Sequence, residues 1–349
     1  MPRLRRADCS APGIRRVRRG RGFSYVDDST GDPIADVETL ERIRELAIPP
    51  AWQDVWICPW PNGHIQAVGT DARGRKQYRY HDHWRELRDR EKFDRMLEFG
   101  RALPRLRLVT SRHLRRPGPT RERVLAGGVR LLDRGFFRIG GETYAEENDT
   151  YGLATMQRRH VRLEPGNVIV FDYVAKGGHR RMQSVVDPQV YRLVSELKRR
   201  RGGTPDLLAY KDRGRWRDVV SSDVNAYIKD VAGEEFTAKD FRTWTATVLA
   251  AVGVAVSGRA AVSVTARKRA ISRTVQEVAH YLGNTPAVCR ASYIDPRVFD
   301  HYAAGDTVAA ALDALGDVDF GEPATQGAVE AAVIELLSGR EAPLLARAA

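Results

Sequence analysis

The chain of 349 residues is predicted to have an α+β fold, with a small β-rich N-terminal domain and a larger, mainly α-helical domain that carries a small antiparallel sheet. Three observations predict this. Short β-prone runs separated by Gly, Pro and Asp come first, helical periodicity dominates after about residue 96, and three further β-prone runs interrupt the helices near residue 170. The length is sufficient for two domains, each with its own core.

Four regions follow from this division. Residues 1–22 are rich in arginine and have little to bury, which predicts a flexible basic arm. Residues 23–95 form the β-rich domain, and residues 96–315 form the helical domain. Residues 316–349 are an Ala-rich tail with one helical period at 328–337. Within the β-rich domain, strands are expected at residues 23–26, 55–58 and 64–69, and a helix at 37–46.

In the helical domain, Asp187 and Pro188 predict a helix start, because proline is tolerated where the first N–H needs no partner. Its buried face should consist of Val190, Leu193, Val194 and Leu197, and further helices are expected at residues 222–233, 238–252 and 265–282. Three runs at 160–163, 168–174 and 181–185 predict an antiparallel meander. Its second turn places Lys176 at a hairpin tip that could enter a groove.

Lysine and arginine outnumber the acidic residues by 57 to 45, which gives a formal net charge of +12. This excess favours a polyanionic partner such as nucleic acid, because each neutralised phosphate releases counterions. An arginine-rich host proteome would give the same charge. No apolar run is long enough to cross a bilayer, and no signal peptide is evident, so a cytoplasmic protein with no membrane partner is expected. The three cysteines suggest reduced, structural thiols.

The last third of the chain holds the groups needed to bind and attack a phosphodiester. Arg242 supplies a guanidinium, Asn284 a side-chain amide and Tyr293 a phenol. Tyrosine is a poor nucleophile when neutral, so Tyr293 needs cationic neighbours, which Arg242 and Arg290 could provide. Taken singly, Tyr293 could instead be an ordinary residue of an amphipathic helix and Arg242 a solvated cation.

The joint pattern resembles the poxvirus-type and bacterial type IB DNA topoisomerases, from about residue 23 to residue 300. The motifs that carry the resemblance are FFRIGG from Phe136, TYGL from Thr150, the run from Val170 to His179, KDFRTW from Lys239, and LGNTP followed by RASY. The resemblance implies a C-shaped clamp around duplex DNA. It also implies catalytic roles for Arg138, Lys176, Arg242 and Tyr293.

In that family, the tyrosine becomes linked to the 3′ phosphate of one strand, the cut strand rotates, and the freed 5′ hydroxyl reseals the break. Poxvirus and eukaryotic members have histidine at the remaining catalytic position, where this chain has Asn284. An amide can donate a hydrogen bond to a phosphate oxygen but does not titrate. Asn284 is therefore expected to bind phosphate without transferring a proton.

The expected chemistry divides the cations by role. Arg138 and Arg242 should clamp the phosphate, since the guanidinium fork suits its oxygens. The leaving 5′ alkoxide needs a proton, and Lys176 is the candidate general acid because arginine is too weak an acid. The alternatives are an arginine on an edge strand for Arg138 and a polar turn residue for Lys176.

The run from Arg75 to Tyr80 combines cations, an amide and aromatic rings in a loop-to-strand segment. Gln77 could read adenine in the major groove, while Arg75 and Lys76 hold the backbone. The resemblance also implies DNA contacts for Gln77, Tyr78, Tyr80 and, from the catalytic domain, Tyr144; Lys239 is a further candidate. Tyr78 and Tyr80 could instead pack in the core of the sheet.

No metal, cofactor or nucleotide is predicted. His81 and His83 could resemble a metal pair on a strand, but no further ligands with suitable spacing accompany them. A phosphate loop of the GxxxxGK[ST] type does not occur in the sequence.

A monomeric topoisomerase acting on double-stranded DNA, in bacteria at the nucleoid, is the function expected. The nearest rival is a tyrosine recombinase, which shares the chemistry but typically carries a His-x-x-Arg box where this chain has Lys239 to Arg242. A noncatalytic DNA-architectural protein with the same basic surface is a rival of a different class.

Overall fold

The computed structural model describes residues 3–258, 263–315 and 323–339. It divides into two compact units, residues 1–94 and residues 95–349. Within the described residues, the strands are β1 (Ile14–Arg19), β2 (Gly22–Asp27), β3 (Gln53–Ile57), β4 (Ile65–Thr70), β5 (Lys76–Tyr80), β6 (Val161–Glu164), β7 (Val168–Ala175), β8 (His179–Val186), β9 (Ala209–Asp212) and β10 (Arg215–Asp218).

The helices in the same residues vary in length from the seven residues of α4 to the 33 residues of α2. They are α1 (Val37–Glu45), α2 (Asp82–Leu114), α3 (Arg121–Gly135), α4 (Glu142–Asn148), α5 (Pro188–Arg199), α6 (Ser221–Ala232), α7 (Ala238–Gly258), α8 (Val264–Leu282), α9 (Pro286–Ser292), α10 (Arg297–Ala304), α11 (Ala309–Leu315) and α12 (Pro323–Leu337). The predicted α+β class is confirmed, with an antiparallel sheet first and a mostly helical unit after it.

The first unit is a five-stranded antiparallel sheet in the order β2-β1-β3-β4-β5. Helix α1 begins after Asp36, whose carboxylate accepts from the backbone N–H of Thr39, and it packs Ile43 on the sheet. The other buried members of this core are Ile14, Val55, Ile57 and Ala67. Burying these apolar side chains is what stabilises so small a unit.

The prediction of a flexible basic arm over residues 1–22 is wrong. Strand β1 lies between β2 and β3 and buries Ile14. Two of the arginines that suggested a solvated arm, Arg15 and Arg16, have partners within the unit. Arg16 donates to the carbonyl of Trp52 at 2.6 Å and lies over the ring of Phe23, while Arg15 pairs with Asp28 at 3.1 Å. Arginine-rich sequence therefore forms an ordered strand here, because Arg15 is paired with a carboxylate and Arg16 is held by a carbonyl and an aromatic ring.

In the second unit, the predicted meander is confirmed. Strands β6, β7 and β8 are antiparallel neighbours in that order. The turn between β7 and β8 consists of Lys176, Gly177 and Gly178, and both glycines have positive φ, at 90° and 78°. Glycine adopts that region without steric cost, so the turn closes tightly and leaves Lys176 exposed at its tip.

The predicted helices are also confirmed. Asp187 caps α5 by accepting from the N–H groups of Gln189 and Val190, and the four apolar residues predicted for the buried face of α5 are its buried residues. Helix α7 is longer than predicted and continues to Gly258. Helix α8 ends where predicted, with Gly283 in the left-handed conformation at φ 61°.

The helical period predicted in the tail lies within α12, whereas residues 316–322 and 340–349 lie outside the described part of the chain. Glu330 on α12 is buried and accepts from two directions. Arg107 donates to both of its oxygens, and the indole N–H of Trp244 donates to Oε1 at 2.9 Å. These contacts join the tail helix to α2 and α7.

Candidate active site

The five residues predicted to be catalytic come from five separate segments of the second unit. Arg138 follows α3, Lys176 lies in the β7–β8 turn, Arg242 is near the start of α7, Asn284 follows α8, and Tyr293 ends α9. A cavity of about 380 Å³ is lined by Arg138, Lys176, Arg242 and Tyr293. A second cavity of about 750 Å³ is lined by Arg138, Lys176, Asn284 and Tyr293. The structure therefore brings all five residues to one region.

Arg242 is buried, with 5% of its surface exposed. Its Nη1 donates to the carbonyl of Phe136 at 2.7 Å and its Nη2 to the carbonyl of Leu282 at 2.8 Å. Burial, followed by the charge of Arg138, lowers the pKa of the Arg242 guanidinium to about 10. A buried cation with a like-charged neighbour is costly, and an anion entering the cavity would offset that cost.

Arg138 lies in the loop after α3, which begins at Phe136 with a left-handed φ of 56°. The segment is held by two backbone bonds, from Leu153 to the carbonyl of Arg138 at 2.8 Å and from Ala154 to that of Ile139 at 2.7 Å. One nitrogen of the guanidinium, Nη2, donates to the carbonyl of Gly283 at 3.1 Å and to the side-chain oxygen of Asn284. A guanidinium carries five N–H donors, so Arg138 can hold Asn284 through Nη2 and still offer donors to a ligand.

Two glycines make the Arg138 loop possible. Gly140 has a φ of 83°, and a Cβ added to Gly152 would lie 2.4 Å from the Cα of Gly140. The two backbone segments therefore approach each other so closely that only glycine fits at both positions. A Cβ on Gly152 would also crowd the carbonyl oxygen of Arg138, so this contact fixes the loop directly beside Arg138.

Asn284 is oriented by its neighbours. Its backbone N–H donates to the carbonyl of Ala279 at 2.9 Å, and its Oδ1 accepts from Arg138. The Nδ2 group on the other side of the amide is buried and has no hydrogen-bond partner among the described residues. An unpaired buried donor costs free energy, which a phosphate oxygen bound there would recover.

Tyr293 is half-buried and ends α9, with its N–H donating to the carbonyl of Cys289 at 3.0 Å. Its ring centre lies 5.3 Å from the guanidinium carbon of Arg242. Burial opposes ionisation of the phenol, but the charges of Arg242 and Arg138 outweigh it, so the pKa of Tyr293 is lowered from its usual value. A phenol that ionises more readily is a better nucleophile.

Lys176 and Lys239 are both exposed and both line the 380 Å³ cavity. Lys239 also helps to lower the pKa of Tyr293, but its effect is smaller than those of burial, Arg242 and Arg138. The cavity thus has two exposed lysines on its rim, with the half-buried Arg138 and the buried Arg242 in the rest of its lining. That combination suits a bound phosphodiester with a leaving group near the rim.

Sequence reasoning missed Arg181 on β8. Its Nη2 donates to the carbonyl of Tyr281 at 2.7 Å, and it lines the larger cavity with Arg138 and Asn284. Burial lowers the pKa of Arg181, and so does the charge of Arg138 to a smaller extent. Tyr173 acts in the opposite direction and raises it. The strand alternation could have placed Arg181 beside Tyr173 on one face, but the contact with the end of α8 required the tertiary structure.

The DNA contacts predicted for the first unit lie on and before the edge strand β5. Arg75 pairs with Asp71 at 2.7 Å, and the amide of Gln77 donates to the same carboxylate at 2.9 Å. Tyr78 and Tyr80 are exposed by 43% and 37%, and their rings stack 5.9 Å apart. The alternative that these tyrosines pack in the core of the sheet is therefore wrong.

Of the remaining predicted contacts, Lys76 is exposed on β5 and lies 5.9 Å from the ring of Tyr78. The side chain of Tyr144 lies outside what the structure describes. Across residues 3–258, 263–315 and 323–339, His, Cys, Asp and Glu do not form a group of three or more that could hold a metal. Among the helices described, none is both long and apolar enough to cross a membrane.

Comparisons with known proteins match both units. Residues 81–314 match the family described as "Eukaryotic DNA topoisomerase I, catalytic core", and residues 22–71 match "Bacterial DNA topoisomerase IB, N-terminal domain". DNA topoisomerase 1B of Acanthamoeba polyphaga mimivirus is 31% identical over 297 residues, covering 81% of this chain and 85% of the relative. DNA topoisomerase 1B of vaccinia virus (strain Copenhagen) is 20% identical over 285 residues, covering 80% and 87%. DNA topoisomerase 1 alpha of Arabidopsis thaliana is 27% identical over 163 residues, covering 46% and 17%.

Together with the fold, these matches make the protein a DNA topoisomerase, an enzyme of the isomerase class. The chain belongs to the type IB family, with an N-terminal domain of the bacterial kind. The family expected from the sequence is thus confirmed. All five candidate catalytic residues lie within the matched catalytic core.

Proposed function

We propose that this enzyme relaxes supercoiled duplex DNA by cutting one strand through a 3′-phosphotyrosyl intermediate, allowing strand rotation, and resealing the break. The observation that carries the proposal is that Arg138 and Tyr293 line two cavities, one together with Arg242 and the other together with Asn284. The reaction needs neither ATP nor a metal ion. We further propose that the protein acts as a monomer in the cytoplasm, on the chromosome.

In the cleavage step, the Tyr293 oxygen forms a bond to phosphorus as the bond from phosphorus to the 5′ oxygen breaks. The phenol loses its proton to water during the attack, and its lowered pKa makes this loss easier. Lys176 gives a proton to the leaving 5′ oxygen from the rim of the cavity. Religation is the reverse, with the 5′ hydroxyl returning its proton to Lys176 and the phenol as the leaving group.

Negative charge develops on the nonbridging oxygens during both steps. Arg138 and Arg242 face that charge, and the unpaired Nδ2 of Asn284 supplies a neutral donor. Groups that are already in place cost no reorganisation at the moment of reaction, which is why such fixed donors accelerate phosphoryl transfer. Arg242 meets this requirement through its two backbone bonds.

DNA contacts outside the catalytic cavity are proposed for Arg75, Lys76, Gln77, Tyr78 and Tyr80 on the first unit, and for Tyr144 and Lys239 on the second. Exposed, stacked tyrosines beside cations are suited to a DNA backbone and bases. Binding should weaken steeply with salt, as expected for a basic protein on a polyanion.

The test is to incubate the protein with negatively supercoiled plasmid in the absence of ATP and to stop samples with detergent. Relaxed topoisomers together with a covalent protein–DNA adduct are expected. Tyr293→Phe should bind the plasmid and give neither product. Exchange between paired sites would instead indicate a recombinase, and binding without cleavage would indicate an architectural protein. An adduct formed by Tyr293→Phe would show that another residue is the nucleophile.

A further inference from the structure

Three arginines converge on the C-terminal end of α8, each on a different carbonyl oxygen. Arg181 donates to the carbonyl of Tyr281 at 2.7 Å, Arg242 to that of Leu282 at 2.8 Å, and Arg138 to that of Gly283 at 3.1 Å. The carbonyls at the end of a helix have no partner within the helix and carry the negative end of its dipole. Two of the three arginines are assigned to phosphate binding above, whereas Arg181 has no role in that scheme.

The guanidinium of Arg181 occupies the space that a side chain at position 283 would need. A Cβ placed on Gly283 would lie 1.8 Å from Nη1 of Arg181 and 2.9 Å from its guanidinium carbon. The guanidinium therefore lies across the glycine while Nη2 holds Tyr281. Since Gly283 also has a φ of 61°, only a residue without a side chain serves both the turn and this contact.

What Arg181 holds is the turn that presents Asn284. Gly283 lies immediately before Asn284, whose amide bonds Arg138, and α9 with Tyr293 follows after Thr285. A displaced end of α8 would move the amide donor and, through α9, the nucleophile. Arg181 also repels Arg242, whose pKa is lowered mainly by burial, then by the charge of Arg138 and to a smaller extent by that of Arg181.

We propose that Arg181 is a positioning residue, which fixes the Gly283 turn so that Asn284 and Tyr293 stay aligned on the phosphate. This inference rests on the proposed function, because alignment has a measurable consequence only if strand cleavage occurs. It assigns Arg181 no contact with the reacting atoms.

The matched control is Arg180, the preceding residue on β8. Arg180 forms a bidentate pair with Asp172 at 2.7 and 2.6 Å and makes no bond to α8. Replacing either arginine removes the same charge from the same hairpin. Any effect of charge on DNA affinity should therefore appear in both variants, and an effect on alignment only at Arg181.

The experiment measures single-turnover cleavage of a duplex by Arg181→Ala and Arg180→Ala, with affinity measured in a Tyr293→Phe background. Arg181→Ala should slow cleavage by roughly 10- to 100-fold, the effect of a small misplacement of reacting groups, with no greater loss of affinity than Arg180→Ala. Equal cleavage rates for the two variants would overturn the proposal. If the wild-type protein forms no adduct in the same assay, it is the proposed function that fails.

Two further variants sharpen the test. Arg181→Lys keeps the charge but cannot lie flat across Gly283, so it should fall between wild type and Arg181→Ala while melting near the wild-type temperature. If Arg181→Ala does not fold, the lysine variant decides, and a wild-type cleavage rate in it would overturn the role of the guanidinium. Gly283→Ala should slow cleavage as well, and adding Arg181→Ala to it should cost little more, because both changes break one contact.

A DNA-free measurement tests the contact itself. Hydrogen exchange of the segment from Tyr281 to Val288 should become faster in Arg181→Ala than in Arg180→Ala, because the end of α8 loses its clamp. Unchanged protection of this segment would show that Arg181 does not hold the turn, whatever the wild-type enzyme does to DNA.

Discussion

Arg242 lies 5.3 Å from the ring of Tyr293 while both of its terminal nitrogens are bonded to backbone carbonyls, those of Phe136 and Leu282. The cation that most favours ionisation of the nucleophile is therefore fixed by the main chain on two sides. It cannot swing away from the phenol without breaking both bonds. The lowered pKa of Tyr293, reached against the opposing effect of burial, is a consequence of this fixed geometry.

Arg242→Gln should move the pH dependence of cleavage to higher pH. Burial raises the pKa of the Tyr293 phenol, and the charge of Arg242 is the largest effect that lowers it. Without the guanidinium, burial remains and the pKa of the phenol should rise. The measurement is single-turnover cleavage against pH, with tyrosinate absorbance referenced to Tyr293→Phe. Arg217→Gln, which removes an exposed arginine paired with Asp212 on β9, is the control. An unmoved midpoint in Arg242→Gln would show that this cation does not control the phenol.

Cleavage should no longer require Lys176 when the substrate carries a better leaving group. A substrate with sulfur in place of the 5′ bridging oxygen departs without protonation, so it should restore cleavage by Lys176→Ala. Arg138→Ala should gain much less from it, because stabilisation of the nonbridging oxygens is still missing. Cleavage rates on the oxygen and sulfur duplexes give the comparison, and equal recovery in both variants would remove Lys176 from the role of general acid.

Asn284→Ala should slow single-turnover cleavage by roughly 10² to 10³, the cost of losing one fixed donor, with little change in DNA affinity. Asn284→His should retain much of the activity because imidazole also donates. The isosteric Asn284→Asp is the sharper variant, since it would pair with Arg138 and repel the phosphate, and it should be at least as slow as Ala. A wild-type rate in Asn284→Ala would mean that the residue only shapes the turn.

Activity should persist in excess chelator. The cavity already faces the phosphate with guanidinium and ammonium groups, and carboxylate ligands that hard cations require do not line it. Plasmid relaxation with and without EDTA is the measurement. Loss with EDTA and recovery with magnesium would contradict the proposed mechanism in kind.

Asp206→Asn should stabilise the protein near neutral pH. Burial, followed by the charge of Asp218, raises the pKa of the Asp206 carboxyl from 3.8 to about 6. The folded state therefore binds this proton more tightly than the unfolded state, a stabilisation fully present below pH 3.8 and lost as pH rises through about 6. Allowing for solvent screening of a half-exposed group, the amide should gain about 1 kcal/mol.

Urea unfolding of Asp206→Asn and wild type, near pH 4 and again above pH 7, measures this difference. The two proteins should nearly coincide in acid, where the wild-type carboxyl is protonated when folded, and separate at the higher pH. A variant less stable than wild type above pH 7 would show that the ionised carboxylate has a favourable partner in the fold.

Local patterns were sufficient to predict most of the second unit. The Asp-Pro start of α5, its four apolar positions and the Lys-Gly-Gly turn each depend on neighbours in the chain, so the sequence contains the information directly. Strand β1 was missed for the opposite reason. Its Arg16 is stabilised by the carbonyl of Trp52 and the ring of Phe23, partners that only folding supplies.

The candidate site shows the same division. Motifs identified which residues gather around Tyr293, but not how they are held. The bond from Arg138 to the Asn284 oxygen spans 146 positions, and the bonds from Arg181 to Tyr281 and from Arg242 to Leu282 span 100 and 40 positions. No local pattern contains such contacts, which is why Arg181 escaped prediction.

The buried ion pair between Arg107 and Glu330 bears on where a minimal fragment of this enzyme can end. The matched catalytic core stops at residue 314, and a fragment cut there would look complete because Tyr293 lies before it. It would lack Glu330, however, leaving Arg107 with one carboxylate partner fewer and the indole N–H of Trp244 buried without an acceptor. Trp244 is two residues from Arg242 on α7, so the shortest soluble, active form should extend through α12.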